Sequence, residues 1–460
     1  MKLLLIHNYY QQRGGEDVVF EAEADLLEAH GHHVLRYQAR NDGLDDVPGW
    51  TLARRTVYNE RTRREVKALL ARERPAIVHV HNTLPVISPA VYFATRDAGI
   101  PVVQTLHNYR LLCPSAVLFR AGGICEACLH REIAVPGIRH ACYRGSRAAT
   151  AAVGLMLATH RLLGTWQRGV DLYIALTRFA REKFIEGGLP GARIVVKPNF
   201  TRDPGLTRTP GDYALFVGRL SVEKGVEPLI EAWRLLQGRI RLRVIGDGPL
   251  ADLVSSACRN GLAVEYLGRQ DPSAVASAMA GARFLVFPSV WYETFGLAII
   301  EAFAAGVPVL ASDLGAMTDL VRHGTTGLLF RAGDSRHLAE QVQWALAHPD
   351  DMRAMGMRAR QEYEERYTPE VNYGLLMDVY ATAMRRLPES GPRPLLEPAA
   401  EATRWAREAR SWRASWTPGS VRSPRSASDS TRLGFSGLRL WGPTGWSSRR
   451  LWWPPAFLLS

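Results

Sequence analysis

The feature that most constrains this chain is an alternation of short apolar runs with amphipathic stretches, which occurs in two successive series. This pattern is typical of parallel strands joined by crossover helices. The first series predicts these strands: Lys2–His7, His33–Tyr37, Ala76–His81, Pro101–His107, Asp171–Ala175 and Arg193–Lys197. The second series predicts six more: Tyr213–Val217, Arg241–Ile245, Val264–Tyr266, Phe284–Phe287, Val309–Ala311 and Gly327–Phe330.

Two series in 460 residues predict an α/β chain of two doubly wound domains, since this length exceeds one ordinary core. We expect an N-terminal domain over 1–200 with a Cys-rich insert at 113–146, a second domain over 201–368, and a closing helix at 369–389. Among the predicted helices are Glu16–Ala29, Lys224–Leu236, Phe295–Ala305 and Ala316–His323. Parallel sheets bind ligands at the carboxyl ends of their strands, so two facing domains predict a ligand in the cleft.

Residues 390–460 are rich in Arg, Trp, Ser, Pro and Gly and lack any helical or strand period, so we expect a disordered tail. From Arg393 onward, 11 Arg and 4 acidic residues give a net charge of +7. The residues before it carry +5 of the total of +12, which does not favour a nucleic-acid partner. The tail is either a membrane-surface or partner contact or has no specific role.

Membrane insertion is not expected, because no apolar run approaches the ~20 residues that span a bilayer. The apolar start of the chain, Met1–Tyr10, is too short for a signal-peptide core, so we expect a cytoplasmic protein. The apolar stretch Ala148–Gly164 fits two alternatives. It is either a helix lying at the inner membrane face or a helix buried against the first domain.

Two sequence motifs lie where a strand is predicted to give way to a helix. Gly14 and Gly15 let backbone amides approach an anion at a helix N-terminus, and their spacing differs from the dinucleotide-binding fingerprint. Arg219 and Lys224 follow the first strand of the second domain. Two cations at a strand end can clamp a diphosphate, although both also fit a solvated surface.

The most specific motif is a pair of glutamates, Glu293 and Glu301, with seven residues between them. Glu301 falls within the apolar helix Phe295–Ala305, where a carboxylate is costly unless a specific donor satisfies it. Ribose hydroxyls are suitable donors. Glu293 precedes the helix, whose first amides are free to bind a ligand.

Taken together, these residues resemble a known family. From Met1 to Arg386 the chain is similar to retaining glycosyltransferases of family 4, also described as glycosyl transferases group 1, which have the GT-B fold of two Rossmann-like domains facing each other across a cleft. The motifs that carry the resemblance are Gly14-Gly15-Glu16, Thr105-Leu106-His107-Asn108, Lys197-Pro198-Asn199, Arg219 with Lys224, Val244-Ile245-Gly246-Asp247-Gly248-Pro249, and Glu293 with Glu301.

The resemblance implies a role for each matching residue. Arg219 and Lys224 would hold the donor diphosphate, and Glu301 would bind the ribose. Glu293 and His107 would contact the donor sugar. The remaining implied donor-binding residues are Gly14, Gly15, Asn199, Gly246, Arg269, Phe295, Gly296 and Leu297.

The resemblance also implies the type of reaction. A sugar would move from a nucleotide-sugar donor, with UDP- and GDP-sugars foremost, to a saccharide or lipid-linked acceptor. No metal cofactor is expected for catalysis, because the cations Arg219 and Lys224 supply positive charge at the diphosphate. Retention would follow a same-face displacement, since Glu293 is the obvious candidate for the nucleophile of a two-carboxylate route and already has a binding role.

Four of the five cysteines are concentrated in the predicted insert. Cys113, Cys125, Cys128 and Cys142 form a C-x11-C-x2-C-x13-C pattern. This pattern predicts a structural zinc site, with ordinary buried thiols or a redox pair as the alternatives.

Other functions are weighed against glycosyl transfer. A nucleotide-sugar epimerase or hydrolase with the same two-domain plan lacks the Glu293 and Glu301 element in this setting. An inactive binding protein is disfavoured because His107, Arg219 and Lys224 are all present.

Overall fold

The first series of apolar runs forms a parallel sheet, as predicted. The computed structural model describes residues 1–11, 13–42 and 47–386. The first eight strands are β1 (Lys2–Tyr9), β2 (His33–Arg40), β3 (Ile77–Val80), β4 (Val102–Leu106), β5 (Phe119–Arg120), β6 (Gly123–Ile124), β7 (Leu172–Ala175) and β8 (Ile194–Val196). Six of them form one sheet in the order β2-β1-β3-β4-β7-β8, in which every pair is parallel. β5 and β6 pair with each other in antiparallel orientation within the predicted insert.

The second series forms a second sheet of six strands. These strands are β9 (Tyr213–Val217), β10 (Arg241–Ile245), β11 (Val264–Gly268), β12 (Phe284–Phe287), β13 (Val309–Ser312) and β14 (Gly327–Phe330). Their order is β11-β10-β9-β12-β13-β14, and all pairs are parallel. The prediction of two parallel-sheet α/β domains is therefore confirmed. The predicted disordered tail, 390–460, lies outside the described residues.

Helices cover both sheets. Those that precede β9 are α1 (Gly15–Ala29), α2 (Gly49–Val57), α3 (Glu60–Glu73), α4 (Ala90–Asp97), α5 (Val135–Arg139), α6 (Arg147–Leu162), α7 (Thr165–Arg168) and α8 (Arg178–Glu186). Those that follow it are α9 (Val226–Leu236), α10 (Ala251–Arg259), α11 (Pro272–Ala280), α12 (Leu297–Ala304), α13 (Ala316–Leu320), α14 (Ser335–Ala347), α15 (Pro349–Arg366) and α16 (Pro369–Arg385). In the described part of the chain, no helix is both long and apolar enough to cross a membrane.

Two predicted helix starts near the cleft are wrong by two residues, for backbone reasons. α9 begins at Val226 rather than Lys224 because Gly225 has a left-handed conformation with φ 71°. A Cβ there would lie 1.9 Å from the carbonyl oxygen of Pro288, so the turn requires glycine. α12 begins at Leu297 rather than Phe295, since Gly296 is its non-helical N-cap. The predicted helix that was to end at His323 ends at Leu320, where the chain becomes extended.

The buried apolar residues fall into three clusters, of which one joins the two sheets. That cluster contains Leu3 of β1, Leu285 of β12 and Tyr380 of α16. α16 contacts α1 and β4 of the first half, although it follows the second sheet in the chain. All described residues belong to one compact unit. The last helix therefore returns to the first sheet.

Candidate active site

A cavity of about 310 Å³ lies where residues from the two halves of the molecule meet. Its walls follow the carboxyl ends of β1 and β4 on one side and of β9 and β12 on the other, as expected for parallel sheets. Nine of the predicted site residues line it: Gly15, His107, Asn199, Lys224, Glu293, Phe295, Gly296, Leu297 and Glu301. The chain thus brings together residues that are up to 286 positions apart, from Gly15 to Glu301.

Lys224 and Glu293 form an ion pair in the wall of this cavity. The Lys224 Nζ atom lies 2.6 Å from Glu293 Oε1, and the Ser289 hydroxyl donates to the same oxygen at 2.7 Å. The lysine ammonium also lies 5.3 Å from the centre of the Trp291 ring. Lys224 keeps 24% of its side chain exposed, so its charge remains available to a ligand.

Glu301 lines the same cavity without a compensating group. It directly follows the buried residues Ile299 and Ile300 of α12, and it is only partly exposed where it lines the cavity. Burial raises its pKa, and no opposing charge lowers it. Among the described residues no side chain hydrogen-bonds or ion-pairs with this carboxylate. A ligand that donates hydrogen bonds would therefore be bound here with little competition.

On the opposite wall, His107 lies at the end of a line of buried histidines. His107 Nε2 and His81 Nδ1 are 2.9 Å apart, and the two rings stack. His79 is bonded through both ring nitrogens, to Tyr380 of α16 and to Thr105, each at 2.8 Å. Burial lowers the pKa of His107 and of His81 well below the usual value, and that of His79 to about 4. These rings are therefore neutral at pH 7.

A buried ion pair between Lys197 and Glu23 lies next to these histidines. Lys197 Nζ lies 2.6 Å from Glu23 Oε1 and donates to Asn372 Oδ1 of α16 at 2.9 Å. Glu23, His79 and His81 form a group of the kind that could hold a metal ion. Because Lys197 already neutralises Glu23 and both nitrogens of His79 are bonded, we assign this cluster to packing. His79 is thus a buried histidine whose two ring nitrogens are both satisfied.

The two walls are linked directly beside His107. Thr294 donates a hydrogen bond of 2.6 Å to the backbone carbonyl of His107. The Tyr109 hydroxyl donates to the carbonyl of Glu293 at 3.4 Å. A Cβ at Gly15 would lie 3.4 Å from Leu297, so α1 and α12 approach closely. The start of α12 is thus held against the first half of the molecule.

Four described candidates do not line the cavity. Gly14 is the N-cap of α1 and donates to Asp17 at 2.9 Å. Arg219 directly follows Gly218, which does line it. Gly246 has φ 139°, and a Cβ there would lie 1.8 Å from the carbonyl oxygen of Gly218, so its glycine is explained by backbone packing. Arg269 is exposed after the end of β11.

Sequence reasoning missed several residues in the cavity wall. Glu16 is buried there and accepts a hydrogen bond from Asn108, and burial raises its pKa. Arg110 and Trp291 also line the wall. The Gly14-Gly15-Glu16 motif contained Glu16, but only the fold shows that its carboxylate points to the cleft. His7, near the end of β1, is fully buried, and its Nε2 atom lies 2.6 Å from Asp17 Oδ1.

The four predicted zinc ligands lie around a second, smaller cavity. Cys113, Cys125, Cys128 and Cys142 all line it, and none is in a disulfide. Burial, with a smaller contribution from the neighbouring cysteines, raises the pKa of the Cys128 thiol to about 11. The sequence clustering of these residues is therefore also a spatial clustering.

Two family models match most of the described chain. Residues 14–199 match the model described as glycosyl transferase 4-like domain, and residues 211–348 match the model described as glycosyl transferases group 1. The chain belongs to the glycosyl transferases group 1 family. The two matches fall on the two sheets described above, which places the cavity of this group 1 protein between its matched regions.

Curated relatives of this group 1 protein include sugar transferases with different acceptors. A phosphatidyl-myo-inositol mannosyltransferase of Mycobacterium leprae is 33% identical over 238 residues, which are 48% of this chain and 62% of the relative. A D-inositol 3-phosphate glycosyltransferase of Nocardia farcinica is 30% identical over 317 residues, which are 64% of each chain. The chain thus spans less than two thirds of the length of these relatives.

Solved structures share the GT-B fold of this group 1 protein. Anabaena Alr3699/HepE in complex with UDP-glucose superposes with a TM-score of 0.58 at 20% identity, over 83% of this chain and 100% of that chain. Sucrose-phosphate synthase from Thermosynechococcus elongatus superposes with a TM-score of 0.62 at 19% identity, over 84% and 99%. These similarities confirm the predicted fold class.

Proposed function

We propose that this protein transfers a glycosyl group from a nucleoside diphosphate sugar to an acceptor hydroxyl, with retention of anomeric configuration. The observation that carries the proposal is the Glu301 carboxylate, which is desolvated, lines the cavity and has no partner among the described residues. A ribose offers the two hydroxyl donors that such a carboxylate needs. The related HepE was solved with UDP-glucose, which contains this group.

The other residues of the second half suit the rest of the donor. Lys224 and Arg219 would together balance the diphosphate charge. Lys224 lies in the cavity wall, and Arg219 directly follows Gly218, which also lies in that wall. The first turn of α12 presents backbone N–H groups at Phe295, Gly296 and Leu297 to sugar hydroxyls. Glu293 would accept from the same sugar. The position of the nucleoside beside Gly246 and Arg269 stays a prediction.

The first half would supply the acceptor side of the reaction. His107 is neutral and held by His81, so it can hydrogen-bond to the donor sugar without adding positive charge. The acceptor oxygen would bond to the anomeric carbon on the face from which the diphosphate leaves. The bond from that carbon to the diphosphate oxygen breaks, and the hydroxyl proton passes to the departing oxygen.

The reaction as proposed needs no metal cofactor. The charge that develops on the leaving diphosphate would be stabilised by Lys224 and Arg219. Activity that is unchanged by a metal chelator supports this, and activity that requires added Mg²⁺ contradicts it. The anomeric configuration of the product, read from proton NMR couplings, tests retention. An inverted product would exclude the same-face displacement.

The donor nucleotide is tested by a thermal-shift panel of UDP-, GDP- and ADP-sugars, because a ligand that binds the native state stabilises it. We expect a UDP- or GDP-sugar to give the largest shift. Donor consumption is then measured with and without an acceptor. Transfer supports a glycosyltransferase, whereas hydrolysis or epimerisation alone favours the alternative enzymes.

Replacing Lys224 by Ala gives the sharpest test of the diphosphate assignment. We expect turnover to fall by about 10²–10³, because the variant loses a cation that stabilises the leaving group. The control is Lys67→Ala, since Lys67 is exposed on α3 and pairs only with Asp97. Near-normal turnover in Lys224→Ala, with an unchanged melting temperature, would overturn the assignment.

For the acceptor we propose a saccharide or lipid-linked hydroxyl, used in the cytoplasm or at the inner membrane face. Relatives act on acceptors that include a phosphatidyl-myo-inositol, by name. α6 buries one face in the core of the first half, where it contacts α2 and α5. Leu155 and Leu162 of α6 stay exposed, and Trp50 of α2 is 73% exposed. Flotation with anionic liposomes tests whether these exposed residues contact a membrane surface, and Trp50→Ser should weaken liposome binding.

A further inference from the structure

The insert between β4 and α6 contains little regular structure to hold it together. Apart from the antiparallel pair β5 and β6 and the five-residue helix α5, it consists of turns. Five residues other than glycine have a left-handed backbone there: Ala116, Leu118, Ala121, Ala141 and Arg144. Such conformations cost free energy, so the surrounding structure must fix them. A segment with so little regular structure is a candidate for cross-linking by disulfides or a metal ion.

The insert nevertheless directs all four of its cysteines to one cavity. Cys125 follows the β5–β6 pair and donates its N–H to Leu118 O at 2.8 Å. Cys128 comes one turn later, and Gly137 allows a close approach, because a Cβ there would lie 3.4 Å from the Cys128 sulfur. Cys142 follows α5 and donates its N–H to Gly137 O at 3.1 Å. Three separate turns thus bring cysteines to the same cavity.

We propose that Cys113, Cys125, Cys128 and Cys142 bind one structural Zn²⁺ ion. Four thiolates fill a tetrahedral zinc site and leave no open position, so the ion holds the fold and does not take part in catalysis. On binding, the four thiols release their protons to solvent. The resulting net charge of −2 would be partly balanced by Arg120, which lines the same cavity.

Zinc binding requires the sulfur atoms to turn inward. Zn–S bonds of about 2.3 Å place tetrahedral ligands about 3.8 Å apart. Across the described ranges, Glu23, His79 and His81 form the one group of three whose ligand atoms all lie within 4.8 Å. The four sulfur atoms are therefore more widely spread. The proposal therefore requires the four cysteine side chains, which all line one cavity, to change rotamer when the ion binds.

The zinc site would stabilise one wall of the active-site cavity. Ser115 lines both cavities, and its hydroxyl lies 3.1 Å from the Cys113 sulfur. The next residues, Ala116 and Val117, also line the active-site cavity. Fixing Cys113 therefore fixes the backbone that faces the acceptor side of the cleft. This role is independent of which sugar or nucleotide the protein uses.

The first experiment measures the metal content of the purified full-length protein by mass spectrometry. We expect about one zinc per chain in the natural protein and below about 0.2 in Cys125→Ser. Cys258→Ser is the matched control, since Cys258 lies on α10 and keeps the four insert cysteines intact. A folded natural protein with less than about 0.2 zinc, or full zinc in Cys125→Ser, would overturn the proposal.

A second measurement avoids variants that fail to fold. The natural protein is produced with cobalt in place of zinc, and its visible spectrum is recorded. We expect the strong absorption of tetrahedral thiolate-bound Co²⁺, because four-sulfur tetrahedral sites accept this ion. Removing the metal with a chelator should lower the melting temperature, and adding Zn²⁺ back should restore it. A protein that takes up no cobalt, or whose bound cobalt lacks the thiolate spectrum, contradicts the proposal.

Discussion

The two walls of the active-site cavity differ in how their polar groups are satisfied. On the first-half wall, His107 is bonded to His81, and the buried Lys197–Glu23 pair lies behind the histidines. On the second-half wall, Glu301 has no partner among the described residues, and the Lys224–Glu293 pair is partly exposed. The polar groups of the first-half wall are satisfied without a ligand, whereas the second-half wall has charged groups that a ligand would bind. Mutations should therefore affect stability on the first wall and binding on the second.

The largest expected effect comes from breaking the Lys197–Glu23 pair. Lys197→Met should lower the free energy of unfolding by about 3–5 kcal/mol, because it leaves the Glu23 carboxylate buried without its cation. Both side chains are only 1% exposed. Chemical denaturation measures this loss. The double variant Glu23→Gln, Lys197→Met should be less destabilised than Lys197→Met alone.

Lys2→Met is the control for that comparison. Lys2 pairs with Glu73 at 3.2 Å, but the two side chains are 35% and 22% exposed. We expect a change below about 1 kcal/mol, since exposed ion pairs contribute little. If both lysine variants lost the same stability, the Lys197–Glu23 pair would not be the support that we infer.

Glu301→Gln should have opposite effects on binding and stability. Donor binding should weaken by about 10- to 100-fold, as expected for losing hydrogen bonds to a charged acceptor. The melting temperature of the ligand-free protein should rise, because the variant removes a desolvated charge. Glu340→Gln, on the exposed face of α14, is the control and should change neither. A less stable Glu301→Gln would show that the carboxylate has a structural partner.

A further effect concerns the pH dependence of stability on the first wall. The pKa of His79 is lowered to about 4, so between about pH 6.5 and 4 the unfolded chain binds a proton that the folded protein does not. Stability is thus lost as pH falls, by about 1.4 kcal/mol per pH unit for this histidine. His79→Asn should reduce the slope by that amount. His130→Asn, at an exposed residue, should leave it unchanged.

Much of the fold was predictable because hydrophobic periodicity reports directly on strands and helices. All twelve strands of the two sheets lie where the apolar runs predict them. The helix starts at Val226 and Leu297 were not predictable from this periodicity. They depend on the backbone conformations of Gly225 and Gly296 and on the residues that pack against them. The backbone angles of a glycine depend on the residues that pack against it, and hydrophobic periodicity carries no information about that packing.

For the active site, the amino-acid sequence alone shows which residue types follow the strand ends and that Glu301 lies in an apolar helix. Which of these residues come into contact depends on the tertiary structure. It paired Lys224 with Glu293, added Glu16 to the wall, and kept Gly246 and Arg269 out of the cavity lining. A charged residue within an apolar segment can be recognised in the sequence, because burying a charge without a partner is costly. Its partner cannot be recognised in this way, because the partner is set by contacts between residues far apart in the chain.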